Sequence, residues 1–553
     1  MLELLARSCT ARRCRWSLDG SSVDTPGVLM VNGGAGPLSV IRSAEGIELR
    51  LEGRSIMTIT DNGMVPPLRS RAGMKERCLP SEAEHPEIAI LDGAFELRRD
   101  ARAFVDAIVA LRQRVGRSKL IYAPGMADAS NIAILTYLGV DLVDTSLIDH
   151  RAAMGKLSLP EGTIEAESAP WLTANGADAV SLNRQLLQKE IGLVQHMITA
   201  GRMREFAELR CHSSPWNVAA LRIFDDEHYQ HQEADCSLVG PRFYCNARQS
   251  LVRPDVKRFR ETVKTKFHRP DHRRILLLIP CSAKKPYYTS KSHQLFRQVL
   301  WEVPNSQVVQ EMIVTSPLGT VPRELELFYP AAQYDIPVTG HWDREEQSMV
   351  QDMVLSMASQ GYDHVILHLG DESPIIQEVL EGIVTSDGSP TSNASLGKLR
   401  ETLKELCSRY GRIDPGMDRW AAMSSVAGYQ FGPGGEALMH DAYISGNYPF
   451  MKIMHRKEQL GMLNPERGMI SLTVEGAEAI LPVIRKVTIG EFELKGSLFA
   501  VGVEDADPSI RAGDEVAIMR KGTVAGVGVA VMGGREMVEM RRGEAVKVRH
   551  KRK

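Results

Sequence analysis

The run Ile275-Leu276-Leu277-Leu278-Ile279 is apolar without a break and stops at Pro280. It has no polar face, so a strand here must be covered on both sides, as the strands of parallel α/β sheets are. Proline has no N–H to donate and closes the ladder. Residues 308–315 and 362–369 form two further runs of buried-strand character. Their carboxyl ends carry Cys281 and Lys285, then Ser316-Pro317-Leu318-Gly319 and Arg323, then His368, Gly370 and Asp371. Open parallel sheets bind ligands beyond those ends, so three converging polar clusters define a candidate site. The loop 280–293 is the densest of them, with a thiol, lysines, tyrosines, hydroxyls and an imidazole.

Ser290 or Ser292 is placed to cap the next helix, whose core stripe is Phe296, Val299 and Leu300. His293 then falls in the first turn, where the positive helix end keeps an imidazole neutral. Lys284 and Lys285 would lower the pKa of the Cys281 thiol. Taken singly these residues read as ordinary: a small buried cysteine and a histidine bonded to backbone at a helix start. Residues 385–395, rich in Ser, Thr, Gly and Pro, read as a surface loop before the domain's last helix.

The N-terminal half alternates strands with helices. Phe104, Ile108, Leu111 and Val115 make one stripe of an amphipathic helix with Gly116 as its stop. Residues 119–123 are a strand, 131–138 a short helix and 140–144 the next strand; Leu187, Ile191, Val194 and Ile198 mark a long helix ended by Gly201. Strand–helix–strand units in succession predict a barrel or doubly wound sheet.

At 553 residues the chain exceeds one core, and about 150 residues per domain predicts roughly three or four. No apolar run approaches the ~20 residues of a membrane span. The start, Met1-Leu2-Glu3-Leu4-Leu5, lacks a signal peptide's basic region, so a cytoplasmic location is expected. The eight cysteines include no C-x-x-C pair, which argues against a disulfide framework and a zinc site, and no metal or cofactor is expected. A net charge of −2 leaves any nucleic-acid affinity to local basic patches. Two are visible: Arg253 through Lys257, Arg258, Arg260, Lys264 and Lys266 to Arg274, read as a solvated connector, and the tail 541–553, whose only acid is Glu544.

Leu138-Gly139-Val140-Asp141-Leu142-Val143-Asp144-Thr145-Ser146-Leu147, followed by Arg151-Ala152-Ala153-Met154-Gly155, resembles the catalytic strand of tRNA-guanine transglycosylases. Residues 24–31 resemble the segment after that family's opening hairpin. The resemblance implies that Asp144 matches the family's nucleophile. The family's second aspartate lies in D-S-G-G-F-Q, for which Thr60-Asp61-Asn62-Gly63 is at best a remnant. Its zinc-ligand stretch falls on residues 175–180, which hold no cysteine, and Cys211-His212 supplies too few ligands. This half is similar to a transglycosylase fold that has lost its chemistry.

Pro280-Cys281, Lys285-Pro286-Tyr287, Ser290 and His293 match the signature of the archaeosine synthase family, and residues 334–342 resemble another of its segments. Tyr429-Gln430-Phe431-Gly432, taken as the opening of a small α/β segment, and residues 459–468 resemble that family's spacer domain. From Pro482 onward, short strands with glycine turns are similar to a PUA domain, a small β-barrel that binds structured RNA.

The fold these resemblances imply is a multidomain α/β chain. It has a degenerate TIM-barrel-like transglycosylase domain (1–260), a parallel-sheet α/β catalytic domain (270–412), a spacer (420–480) and a C-terminal β-barrel PUA domain (482–553). The implied activity adds free lysine to the nitrile of 7-cyano-7-deazaguanine at position 15 of archaeal tRNA, giving an amidine adduct that a radical-SAM partner enzyme cleaves to archaeosine. The implied catalytic residues are Cys281, Lys285, Tyr287, Ser290 and His293, with Ser316, Arg323, His368, Asp371 and Asp144 binding substrate. Cys281 would form a thioimidate, His293 would move protons, Lys285 or Tyr287 would donate to the nitrile nitrogen, and Asp371 would hold the lysine. Direct amine attack without a cysteine adduct is equally compatible with the residues. The expected partners are tRNA through its D-arm, free lysine, the radical-SAM enzyme and further copies of the chain in a homo-oligomer. A non-catalytic tRNA-binding subunit and a base-exchanging enzyme using Asp144 are the alternatives.

Overall fold

The structure, a computed structural model, describes residues 2–18, 20–31, 37–43, 46–60, 87–91, 93–173, 176–337 and 341–552. Asp61-Asn62-Gly63, Asn175 and residues 338–340, all used above, lie outside them. The chain is multidomain α/β and divides into two compact units. One comprises Met1–Ser237, Ser497–Ala512 and Val531–Val546; the other comprises Leu238–Gly496, Gly513–Ala530 and Lys547–Lys553.

The first unit opens with an antiparallel meander, β1 (Leu2–Ser8), β2 (Ala11–Leu18) and β3 (Ser21–Thr25). A seven-stranded sheet follows: β4 (Gly27–Val31), β5 (Leu38–Ser43), β6 (Gly46–Leu51), β7 (Arg54–Thr60), β8 (Ile88–Ile90), β9 (Leu120–Tyr122) and β10 (Leu142–Asp144), in the order β7-β6-β5-β4-β10-β9-β8. Pairing is parallel from β8 to β5 and antiparallel through β6 and β7. Only part of the eight-strand parallel cycle of a TIM barrel is therefore present among the described residues. Helix α1 (Ala101–Val115) buries Phe104, Ile108 and Leu111 and ends at Gly116, whose φ of 70° suits a residue without Cβ. Helix α2 (Ala179–Thr199) buries Leu187, Ile191, Val194 and Ile198.

The core of this unit contains a charge cluster. Asp141 accepts from Arg12 at 2.8 and 2.9 Å, from Arg112 at 2.7 Å and from the Ile121 N–H at 2.8 Å. The cysteine scatter argued against disulfides; the structure instead joins Cys9, in the β1–β2 turn, to Cys236. They stand 227 residues apart, so no local spacing encodes the pairing.

In the second unit, β11 (Phe243–Tyr244) precedes helix α3 (Pro254–Lys266). The basic stretch is not a solvated connector. Val256, Phe259 and Val263 are one apolar face of α3 and lie in the core, so its charges are tied down. Arg253 pairs with Asp255, Arg260 donates to the Pro317 carbonyl at 2.7 Å, and Arg274 pairs with Asp363. Strand β12 (Ile275–Pro280), helix α4 (Lys291–Glu302), β13 (Val309–Thr315), β14 (Gly319–Pro322), β15 (Tyr334–Asp335), helix α5 (Arg344–Ala358), β16 (His364–Leu367), β17 (Ile383–Val384) and helix α6 (Asn393–Cys407) follow. The central sheet runs β14-β13-β12-β16-β17, parallel except for β14, and β15 pairs in parallel with β11. Residues 393–395, assigned above to a loop, belong to α6, because Ser392 caps it by accepting from the Ser395 N–H.

Helix α7 (Pro415–Phe431) ends where a new segment was expected to open: Tyr429 to Phe431 are its last residues, and Gly432 stops it at φ 82°. Four antiparallel strands follow, β18 (Tyr443–Ser445), β19 (Lys452–His455), β20 (Glu458–Leu463) and β21 (Ile470–Leu472). Next come β22 (Arg485–Ile489), β23 (Glu515–Arg520) and β24 (Thr523–Ala530), the first pair parallel and the second antiparallel. Much of the basic C-terminal stretch is strand, Glu544–Lys551, and its Arg549 pairs with the buried Glu515. No helix among the described residues is long and apolar enough to cross a membrane.

Candidate active site

The carboxyl ends of β12 and β13 open into a cavity of about 300 Å³. Cys281, Thr315 and Ser316 line it from the sheet, Glu346 from α5, and Asp371 and Glu372 from the loop after β16. The parallel order places these loops side by side, as the strand-end argument expects.

Cys281 is a free thiol. Burial raises its pKa; the hydroxyl of Thr315 and the charge of Lys285 work against that rise. Lys285 sits with its ammonium 4.0 Å from the Tyr334 ring centroid and donates to the Ser282 carbonyl at 3.4 Å. Its pKa is lowered, by burial first. Thiol and amine are thus both pushed toward their neutral forms, opposite to the thiolate that neighbouring lysines alone would produce. Tyr287 is fully buried; its hydroxyl meets that of Tyr334 at 2.5 Å, which meets Thr315 Oγ1 at 2.5 Å. Burial raises the Tyr287 pKa, so this relay stays protonated.

Ser290 caps α4, accepting from the His293 N–H at 3.3 Å. His293 itself is fully buried and packs on Tyr287 and Phe296, with ring centroids 5.3 and 5.5 Å away. Its pKa is pushed down to about 2, by burial and then by the Arg323 cation, with the Pro280 carbonyl opposing. The neutrality expected from the helix start is present, but its main cause is desolvation. Arg323 is clamped by Glu311 at 2.6 Å and Glu326 at 3.0 Å. Ser290, His293 and Arg323 therefore hold the loop from behind and do not line the Cys281 cavity.

Ser316 does line it and donates to Glu346 at 2.6 Å. Asp371 lines it and is exposed. His368 turns away: its nitrogens meet Thr385 Oγ1 at 2.9 Å and the Pro390 carbonyl at 2.8 Å. Asp144 lies in the other unit, where it accepts from the Tyr122 hydroxyl at 2.5 Å and the Gly125 and Ser146 N–H groups at 3.1 and 2.8 Å. Sequence reasoning missed Cys245, Arg248, Thr315, Glu346 and Glu372 in the cavity wall. The D-x-x-E spacing of Asp343 and Glu346 was readable as a capping box, which forms, but not as a cavity contact. No group of metal-ligating side chains occurs among the described residues.

Comparison with known proteins gives this arrangement a class. Residues 256–403 match a family described as a domain of unknown function, DUF5591, and residues 486–552 match the PUA domain. The chain is thus a PUA protein carrying a parallel-sheet α/β domain with a partly buried free cysteine at its cavity. It is 35% identical to an archaeosine synthase subunit alpha of Methanosarcina acetivorans, covering 85% of this chain and 81% of that protein. It is 32% identical to the subunit alpha of Thermoplasma acidophilum, covering 92% and 96%. A tRNA-guanine(15) transglycosylase of Methanothermobacter thermautotrophicus is 24% identical, covering 92% of this chain and 77% of that one. The chain belongs to the archaeosine synthase family.

Proposed function

We propose that this protein is a tRNA-modifying transferase of archaeosine formation that adds free lysine to the nitrile carbon of 7-cyano-7-deazaguanine at tRNA position 15. The observation that carries the reading is the free Cys281 thiol, within the electrostatic reach of Lys285, on the wall of a cavity that Glu346, Asp371 and Glu372 also line. The thiol sulfur adds to the nitrile carbon while its proton passes to the neutral Lys285 amine, which hands a proton on to the nitrile nitrogen, giving a thioimidate. An amine of lysine then forms a C–N bond at that carbon while the C–S bond breaks, and the sulfur regains a proton. The sum is nitrile plus amine to amidine, with no oxidant required. The wall carboxylates suit the ammonium and amine groups of lysine. Tyr287, Ser290 and His293 position the loop, which places the proton work on Lys285.

The PUA match supports binding of structured RNA, and the target base must leave its stack to reach a cavity of this size. A radical-SAM partner would act on the adduct afterwards. Asp144 is not used in this reading, because both its oxygens are occupied by hydrogen bonds.

The test is mass spectrometry of nitrile-bearing tRNA incubated with lysine and either wild type or Cys281→Ala. A nucleoside heavier by one whole lysine, lost in the variant, is the expected result. An adduct that survives in the variant would replace the thioimidate by direct amine attack, and no adduct with wild type would overturn the reading.

A further inference from the structure

A second cavity, of about 280 Å³, lies toward the other end of the central sheet, lined by Val309 and Glu311 at the start of β13. Seven residues of strand separate that end from the Cys281 end, roughly 20 Å. Four acids line it, and two arginines share them in ion pairs: Arg273 holds Glu324 and Asp418, and Arg323 holds Glu311 and Glu326. Two further arginines on the wall, Arg297 and Arg419, have no ion pair among the described residues, and the Nε of Arg419 is buried without a partner. A guanidinium nitrogen buried without an acceptor is unfavourable until one is supplied. At the rim, Trp301 is 75% exposed, and the guanidinium carbon of Arg297 stands 5.1 Å from its ring centroid. A large indole left in water beside two arginines without an ion pair matches the two halves of a nucleotide, a π-face and a phosphate.

We propose that this second cavity binds a nucleotide of the RNA substrate, with its phosphate on Arg297 and Arg419 and its base stacked on Trp301. The inference rests on the RNA-directed part of the proposed function and not on the lysine chemistry. The site is tied to the Cys281 loop, because Glu326 on its wall accepts the Tyr288 N–H at 2.9 Å and the Tyr448 hydroxyl at 2.9 Å. RNA held here is therefore held against the structure that carries the thiol.

The experiment measures binding of an unmodified tRNA transcript, which carries no nitrile, to the full chain over a salt series. Trp301→Ala should weaken binding about tenfold. The double variant Arg297→Ala/Arg419→Ala should weaken it and flatten the salt dependence by about one to two phosphate contacts. Thermal midpoints within error of wild type establish that these exposed-site variants fold. Unchanged affinity and salt slope in both variants would overturn the proposal. So would Trp301-dependent fluorescence quenching by free AMP with RNA binding unchanged, since the cavity would then serve a free nucleotide. Because no reacting base is present, this outcome is independent of whether lysine addition occurs.

Discussion

Arg323 donates to Nδ1 of His293 at 2.9 Å, which leaves the ring's own proton on the buried Nε2. A residue that reads as a proton carrier is thereby held in place by one hydrogen bond in the first turn of α4. With its pKa pushed down to about 2, the folded protein leaves this ring unprotonated between that value and an unfolded pKa of about 6.5, while the unfolded chain binds the proton. Stability is lost as pH falls below 6.5, at up to about 1.4 kcal/mol per pH unit from this group. The expected outcome is a His293 resonance that does not move between pH 8 and 5, and a shallower acid loss in His293→Gln denaturation. A resonance titrating near pH 6.5 would show the ring to be solvated.

For Cys281 the prediction concerns reactivity. Burial raises its pKa above the ordinary thiol value of 9.0, so the thiolate is scarce at neutrality. Carboxamidomethylation of this residue, followed by peptide mass spectrometry, should speed up about tenfold per pH unit from pH 7 to 8.5. A rate already flat over that range would mean that Lys285 dominates and the thiol is ionised in the resting protein.

Asp141 is buried, which by itself disfavours its charge, but Arg12 and Arg112 outweigh that and hold it down to about 2. Its contribution to stability is present above the unfolded carboxylate range and is lost as pH falls through about 4 to 2. Asp141→Ala strands two buried guanidinium groups and should cost about 3–5 kcal/mol in urea unfolding. A loss below 1 kcal/mol would contradict the geometry.

Gly468 closes the turn between β20 and β21 at φ +70°, and a Cβ there would stand 2.2 Å from the Leu327 carbonyl carbon. Both the left-handed backbone and the clash with main chain oppose any side chain. Gly468→Ala should lower stability by about 2–4 kcal/mol, read from the denaturant midpoint. An unchanged midpoint would mean that the Leu327 segment gives way freely.

The unbroken apolar run at 275–279, the stripe at Phe104, Ile108 and Leu111, the stop at Gly116 and the cap at Ser290 follow from periodicity and local backbone chemistry. The amino-acid order by itself therefore determined these elements, and with them the placing of Cys281 at a strand's carboxyl end. Tertiary structure alone decided which polar groups share a space. It withdrew His293 and His368 from the cavity and brought Glu346 and Cys245 into it. It buried Arg12 against Asp141 from 129 residues away and joined Cys9 to Cys236. The physical reason is range. Hydrogen-bond ladders and caps are satisfied within a few residues, whereas a buried charge, thiol or imidazole takes its partner from whatever chain the fold packs against it.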